Sequence, residues 1–599
     1  LGLLTLLLTL PSQAGRPERP VALVLVEDLT WKEVEGSPVL DGLFENGAAA
    51  NLSTAQGGPP PDPLTGYAFI GAGARTDTRV LPEKLPDDPA AIPGAFTGPA
   101  STVRPGSLGQ ALREEGLVAA AIGERARLAA MDRKGRVPLY YDGERPVGDL
   151  RRALEEGADL VAVSTRSVEE AAELVSAARG ATVALASPGP RSLTPFALGG
   201  EEGLLYSPTT RTTGLISNAD VAPTLLAALG VDPPAGMQGR VASVRPGEPE
   251  AARRLGERIL FVARSRFEVW LMVGLAAGLA VAALPLIRAL RWRMDPGSGV
   301  LVLAALPAGA LLAAAVPVTN TPAVAALTLL FAAALTVISS LVSKTGSDTL
   351  AGVCLGTATL VLADAAFGGP LMRLSTLGYN PGYGARFYGA GNEYAAVLAG
   401  SLTMGLGALA AARRPPARTL VAAGAAAVFV LGLPTMGADV GGSLALGLGY
   451  GATVALVRGD RPPGVAAWAA GGFALAATLF LASGFLLPDT SHGSRAAGGE
   501  GDLYEMTIRK LLISLSYLGN PLLLALLLAS SALVYAGWRR TRSTPLAAGI
   551  LGASLTAAAS GALNDSGLVA TLFALLYPAA ASTLALLPKS TPRPDRPPL

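Results

Sequence analysis

Residues 379–394 read YNPGYGARFYGAGNEY and separate two long apolar runs, 349–367 and 394–412. A plain connector between such runs needs none of Arg386, Asn392 or Glu393, and ionisable side chains at a membrane surface are functional candidates by default. Further apolar runs lie near 268–290, 299–318 and 322–343 before the segment. After it come 419–435, 442–457, 464–487, 520–538, 545–563 and 567–587. Because roughly twenty apolar residues cross the hydrocarbon layer, these runs predict an all-α polytopic bundle of about eleven helices.

The joints between the runs alternate in character. Every second joint is basic: Arg288, Arg291 and Arg293, then Lys344, then Arg413, Arg414 and Arg418, then Arg458 and Arg461, then Arg539, Arg540 and Arg542. Cytoplasmic joints hold the excess of Lys and Arg, so 379–394 and the other polar joints face outward and the C-terminus lies inside. The outward joints are VTNTP at 318–322, LPTMGADVGG at 433–442, the 488–519 segment and ALNDSG at 562–567. They gather Arg386, Glu393, Asp439 and Asp565 at one surface, with Tyr388, Asn392 and Asn564 as substrate contacts and Asp364 at the end of its run nearby. An arginine fork suits phosphate, so Arg386 is expected to hold an anionic group while the three carboxylates act as base, metal ligand or sugar contact. The structural alternative pairs Arg386 with Glu393 or Asp439 to fix the helices. Residues 502–518, DLYEMTIRKLLISLSYL, predict an amphipathic interfacial helix, preceded by His492 in a Gly/Ser-rich loop.

Composition agrees with a membrane protein. Of the 599 residues half are hydrophobic and 15% charged, and the mean hydropathy is +0.44. The average hides two unlike parts, a charged stretch 15–260 and an apolar stretch 261–588, followed by a Pro/Arg-rich tail 589–599 read as cytoplasmic. A net charge of +2 gives no basic patch for nucleic acid. Residues 1–14, LGLLTLLLTLPSQA, resemble a signal peptide or its remnant ending on small residues. An uncleaved anchor would equally send the following domain outward. Cys354, the single cysteine, lies in an apolar run, so neither disulfides nor thiolate metal sites are expected.

The charged part opens with PVALVLVEDLTW at 20–31, a buried-strand pattern that delivers Glu27 and Asp28 at its carboxyl end, where open α/β sheets place their sites. Further strands are expected at 118–123, 159–165 and 181–187, separated by helical patterns such as SLGQALREEG and SVEEAAELVSAARG. This alternation predicts a parallel sheet covered on both faces. Residues 57–64, GGPPPDPL, read as a surface loop.

Together, VLVEDLTW, GYAFIGAGAR at 66–75, SLGQALREEG and SPTTRTTGLISNADVAPTLLAALGVDPPAGMQGR at 207–240 resemble the alkaline phosphatase-like superfamily, in its membrane-attached bacterial envelope branch. The resemblance implies an α/β extracytoplasmic domain, with Asp220 capping a helix at a strand-to-helix corner. In catalytic members two metals sit on Asp and His ligands beside a Ser or Thr nucleophile. Here Glu27 and Asp28 fall at the first ligand position, Phe69 falls near the nucleophile with Thr65 as the nearest hydroxyl, and the domain has no histidine. An all-carboxylate set around Glu27 and Asp28 would hold Mg²⁺ or Ca²⁺, but a domain used for binding is the favoured expectation. Arg211, after Thr209 and Thr210, either meets an anion or belongs to ordinary loop hydrogen bonding.

The favoured function is therefore an envelope membrane protein that binds or processes an anionic lipid-linked substrate at its outer face. A polyprenyl-phosphate-linked glycan or a phospholipid headgroup would fit. The alternatives are a transporter or flippase without covalent chemistry, and a membrane-anchored metal-dependent phosphatase or phosphotransferase.

Overall fold

A computed structural model describes residues 19–55, 62–74, 85–86, 88–95, 105–289, 296–486, 517, 519–564 and 566–588. The expected leader, most of the 57–64 loop, His492, all of the 502–518 helix but Tyr517, Asp565 and the C-terminal tail lie outside the described residues. The chain divides into two compact units, one of residues 1–260 with 380–387 and one of 261–379 with 388–599.

The first unit is built on a ten-stranded mixed sheet. Its strands are β1 (Val21–Val26), β2 (Gly47–Ser53), β3 (Ala119–Ile122), β4 (Leu139–Tyr141), β5 (Leu160–Thr165), β6 (Thr182–Ala186), β7 (Leu193–Gly199), β8 (Gly203–Tyr206), β9 (Leu215–Ser217) and β10 (Ser243–Arg245). They lie in the order β10-β8-β9-β2-β7-β6-β1-β5-β3-β4. β1 pairs in parallel with β5 and β6, and β3 with β5 and β4, so the expected parallel sheet exists in this half. β7 runs antiparallel to β6 and β2, and β10 antiparallel to β8, which makes the whole sheet mixed.

Both faces are covered because successive strand side chains point to opposite sides. Val21, Leu23 and Leu25 join a core with Tyr67, Leu108, Leu112 and Leu225. Ala22, Val24 and Val26 join another with Leu40, Phe44, Leu150 and Leu174. Full burial of such side chains stabilises by roughly 1.5–3 kcal/mol each, which is why an uninterrupted apolar hexapeptide becomes the central strand. A strand-to-helix corner forms here, but the Asp220 side chain does not cap the following helix as the resemblance implied. Ser217 and Asp220 make a reciprocal capping box over a short 3₁₀ turn, and the helix Val221–Ala228 follows with Pro223 in its first turn.

In the second unit, eight helices among the described residues are long and apolar enough to cross a membrane. They are Thr321–Leu341, Gly346–Ala366, Asn392–Arg413, Val440–Arg458, Pro462–Gly484, Pro521–Thr541, Leu546–Leu563 and Leu568–Leu586. Of the other expected runs, Gly297–Ala313 and Ala417–Gly432 form shorter apolar helices. The first run lies in the second half of the 41-residue helix Pro249–Ala289, whose opening turns are charged. Polar N-caps punctuate the bundle: Asn320, Thr345, Asp439 and Asn520 each accept a backbone N–H in the first turn of the helix they precede.

Asn392–Arg413 is the central helix, with 83% of its apolar window buried against 6% for Pro462–Gly484. It packs on Gly346–Ala366, Val440–Arg458, Leu546–Leu563 and Leu568–Leu586. At one end, Arg413 Nε meets Asp348 Oδ1 at 3.0 Å, joining the finish of this helix to the start of Gly346–Ala366. The opposite end begins with Asn392, Glu393 and Tyr394, the last residues of the quoted segment.

Candidate functional site

At the carboxyl edge of β1, both acidic residues are engaged by arginines. Glu27 pairs with Arg125, and its other oxygen lies 3.3 Å from Arg166 Nε. Asp28, in the left-handed region at φ 63°, receives Arg191 Nε at 2.7 Å. Three guanidinium groups thus stand where a divalent ion would need anionic or neutral donors. No group of three or more His, Cys, Asp or Glu side chains gathers to hold a metal among the described residues. The donor set does not fit Mg²⁺ or Ca²⁺.

The neighbouring hydroxyl positions do not assemble a nucleophile either. Thr65 Oγ1 donates to Asp62 Oδ2 at 2.6 Å inside a helix cap, and Phe69 is core. Tyr67 is fully buried, and that burial, reinforced by the charge of Glu27, pushes its phenol well above the usual tyrosine value.

Arg211 lies in the 207–212 turn, its N–H donating to Ser207 O at 2.8 Å. Thr209 donates to Asp220 Oδ1 and Thr210 to Leu215 O, each at 2.5 Å. The threonines therefore take the loop-bonding role. Arg386, half-buried, belongs to the first unit with residues 380–387. That octapeptide is held by Asn380 Nδ2 donating to Ile259 O at 2.8 Å and by Ser53 Oγ donating to Pro381 O at 3.0 Å.

Tyr388, Asn392, Glu393, Asp439 and Asn564 all fall in the second unit. Their loops meet backbone to backbone. Gly389 N donates to Gly368 O at 2.7 Å and Ala390 N to Gly437 O at 2.6 Å. Gly389, at φ 80°, has Gly437 O only 2.3 Å from where a Cβ would stand, so a larger residue would separate the loops. Asp439 is 4% exposed and caps Val440–Arg458, with Oδ1 accepting from Gly442 N at 2.6 Å. Asn392 Nδ2 donates to Ser566 Oγ at 2.8 Å, and Ser566 N donates to Asn564 Oδ1 at 3.0 Å. The Asn564 amide nitrogen is buried with no partner among the described residues.

On the other side of Asn392 lies a cluster that sequence reasoning largely missed. Asp364, 6% exposed, accepts from Leu371 N at 2.9 Å and Met372 N at 3.0 Å, folding the chain into a turn after its helix. Within that turn Arg373, Ser375 and Thr376 are buried. Ser375 Oγ lies 2.8 Å from the Tyr394 hydroxyl. Ser375 Oγ also lies 3.1 Å from Ala310 O and the Tyr394 hydroxyl 3.2 Å from Pro307 O, carbonyls of a helix that contains Pro307, so one hydroxyl donates to the other and the second to a carbonyl. Non-helical backbone buried inside an apolar bundle is tolerated where it is satisfied by protein or lines a cavity. The signal available in the sequence was Asp364 followed nine residues later by Arg373 between apolar runs.

The site therefore combines the buried Arg373 guanidinium with carboxylates, hydroxyls and amides at one end of the central helix. It can hold an anion and hydrogen-bond polar groups attached to it. No protein-family model matches this chain, and no curated protein matches it.

Proposed function

We propose that this chain is an integral protein of the bacterial cell envelope whose bundle binds or processes an anionic lipid-linked ligand at its outer end. A polyprenyl-phosphate-linked glycan or a phospholipid headgroup is the ligand class. The first unit is read as an outward-facing, alkaline phosphatase-like domain that works without a metal centre. The observation that carries this reading is the buried polar end of the central helix, where Asp364, Arg373, Tyr394, Asn392 and Asn564 stand among otherwise apolar spans. Ionisable groups are retained at such depth where they serve a ligand or pathway. The arginines on Glu27 and Asp28 speak against the anchored metal-dependent phosphatase.

Photo-crosslinking tests the proposal. The full chain is reconstituted in lipid nanodiscs with a photoreactive long-chain polyprenyl phosphate, and the labelled peptides are mapped. Labels are expected in 364–394, 433–442 and 560–571. Labels confined to the flanks of Thr321–Leu341 or Pro521–Thr541 would refute it.

A further inference from the structure

Arg266 projects from the helix Pro249–Ala289, donating to the Gly378 carbonyl, while its Nε is buried without an acceptor among the described residues. One helical turn on, Trp270 Nε1 donates to the Thr376 carbonyl at 3.3 Å. Residues four apart share a helical face, so Arg266 and Trp270 grip the 376–378 turn from one side. Thr376 is 3% exposed, and its hydroxyl has no partner among the described residues. Arg373, 8% exposed, lies three residues earlier in the same turn.

Asp364 is already committed to two backbone N–H groups, and Arg266 makes no carboxylate ion pair among the described residues. A buried donor or hydroxyl without a partner is costly, so the unpaired Arg266 Nε–H and the unpaired Thr376 hydroxyl, both at the 376–378 turn, mark a place for an acceptor. A planar carboxylate would be satisfied by one fork. Two guanidinium groups and a hydroxyl, brought from a helix and a turn, suit the several oxygens of a tetrahedral oxyanion.

We propose that Arg266, Arg373 and Thr376 form the seat of a phosphate group, in place of the sequence-expected Arg386. This deepens the reading of a lipid-linked anionic ligand and rests on it. The phosphate belongs either to a lipid-linked ester or to free phosphate, and the two arms of the test separate these sources.

The test uses the full-length chain in nanodiscs, with affinity for polyprenyl phosphate measured by native mass spectrometry and inorganic phosphate followed by thermal shift. Thr376→Val removes only the hydroxyl, and Arg266→Lys keeps a donor for Gly378 O while removing the fork. Loss of a charge-assisted hydrogen bond predicts a weakening of roughly tenfold to a hundredfold for Arg266→Lys, with a smaller loss for Thr376→Val. Arg264→Gln, at an exposed position of the same helix, leaves affinity unchanged.

Unaltered lipid binding in both Arg266→Lys and Thr376→Val overturns the seat and leaves the lipid reading standing. Stabilisation by inorganic phosphate that the two variants abolish, with no polyprenyl phosphate bound by the wild type, supports the seat and overturns the lipid reading. Binding of neither compound by the wild type overturns both.

Discussion

Asp220→Ala tests whether the corner at 217–240 is held by one carboxylate. Asp220 is fully buried, and its oxygens accept from Thr209 Oγ1 at 2.5 Å, Arg240 N at 2.8 Å and Ser217 N at 2.8 Å. Alanine strands two backbone N–H groups and a hydroxyl in a site closed to water. At about 1–3 kcal/mol per stranded group, less the relief of no longer burying a carboxylate, the net loss is about 3–5 kcal/mol. If the corner opens locally, amide exchange at Ser217 and Arg240 accelerates roughly a hundredfold or more. Hydrogen-exchange mass spectrometry of the full chain, before and after substitution, reads this on peptides covering 207–245. Exchange within threefold of wild type at both amides would refute the reasoning.

Burial raises the Asp220 carboxyl above its ordinary value, against the opposing hydrogen bonds from Thr209, Arg240 and Ser217. The folded state then holds the proton more tightly than the unfolded one, so this group's contribution is complete below about pH 3.9 and is lost as pH rises through the folded value. The stability difference between wild type and Asp220→Asn should accordingly shift against the wild type as pH increases from about 4, and a pH-independent difference would contradict this. In the bundle, a Cβ on Gly407 would stand 2.2 Å from Gly549 Cα, so Gly407→Val must part the helices Asn392–Arg413 and Leu546–Leu563. A loss of about 1–3 kcal/mol is expected in detergent thermal unfolding, against no change for Gly471→Ala, whose Cβ meets nothing within 4 Å. Equal stability of the two variants would show that the close crossing does not exist.

Local patterns were enough for β1, β3, β5 and β6 and for most of the apolar helices. Continuous burial of VALVLV and twenty-residue apolar lengths are properties of short windows, so these elements were legible before folding. The strand directions were less legible. β7 reverses between β6 and β2, a choice made by the pairing partners and not by its own residues.

The sequence alone determined that an α/β part precedes an apolar helical part, and that polar loops containing Asn392, Glu393, Asp439 and Asn564 interrupt the latter. Only the tertiary structure decided which of those residues meet. It assigned Arg386 to the first unit with 380–387, set arginines on Glu27 and Asp28, and brought Arg266 to the turn containing Thr376. The physical reason is distance along the chain. Asn392 reaches Ser566 across 174 residues and Arg266 reaches Gly378 across 112, so these contacts depend on how whole helices pack and on no local preference.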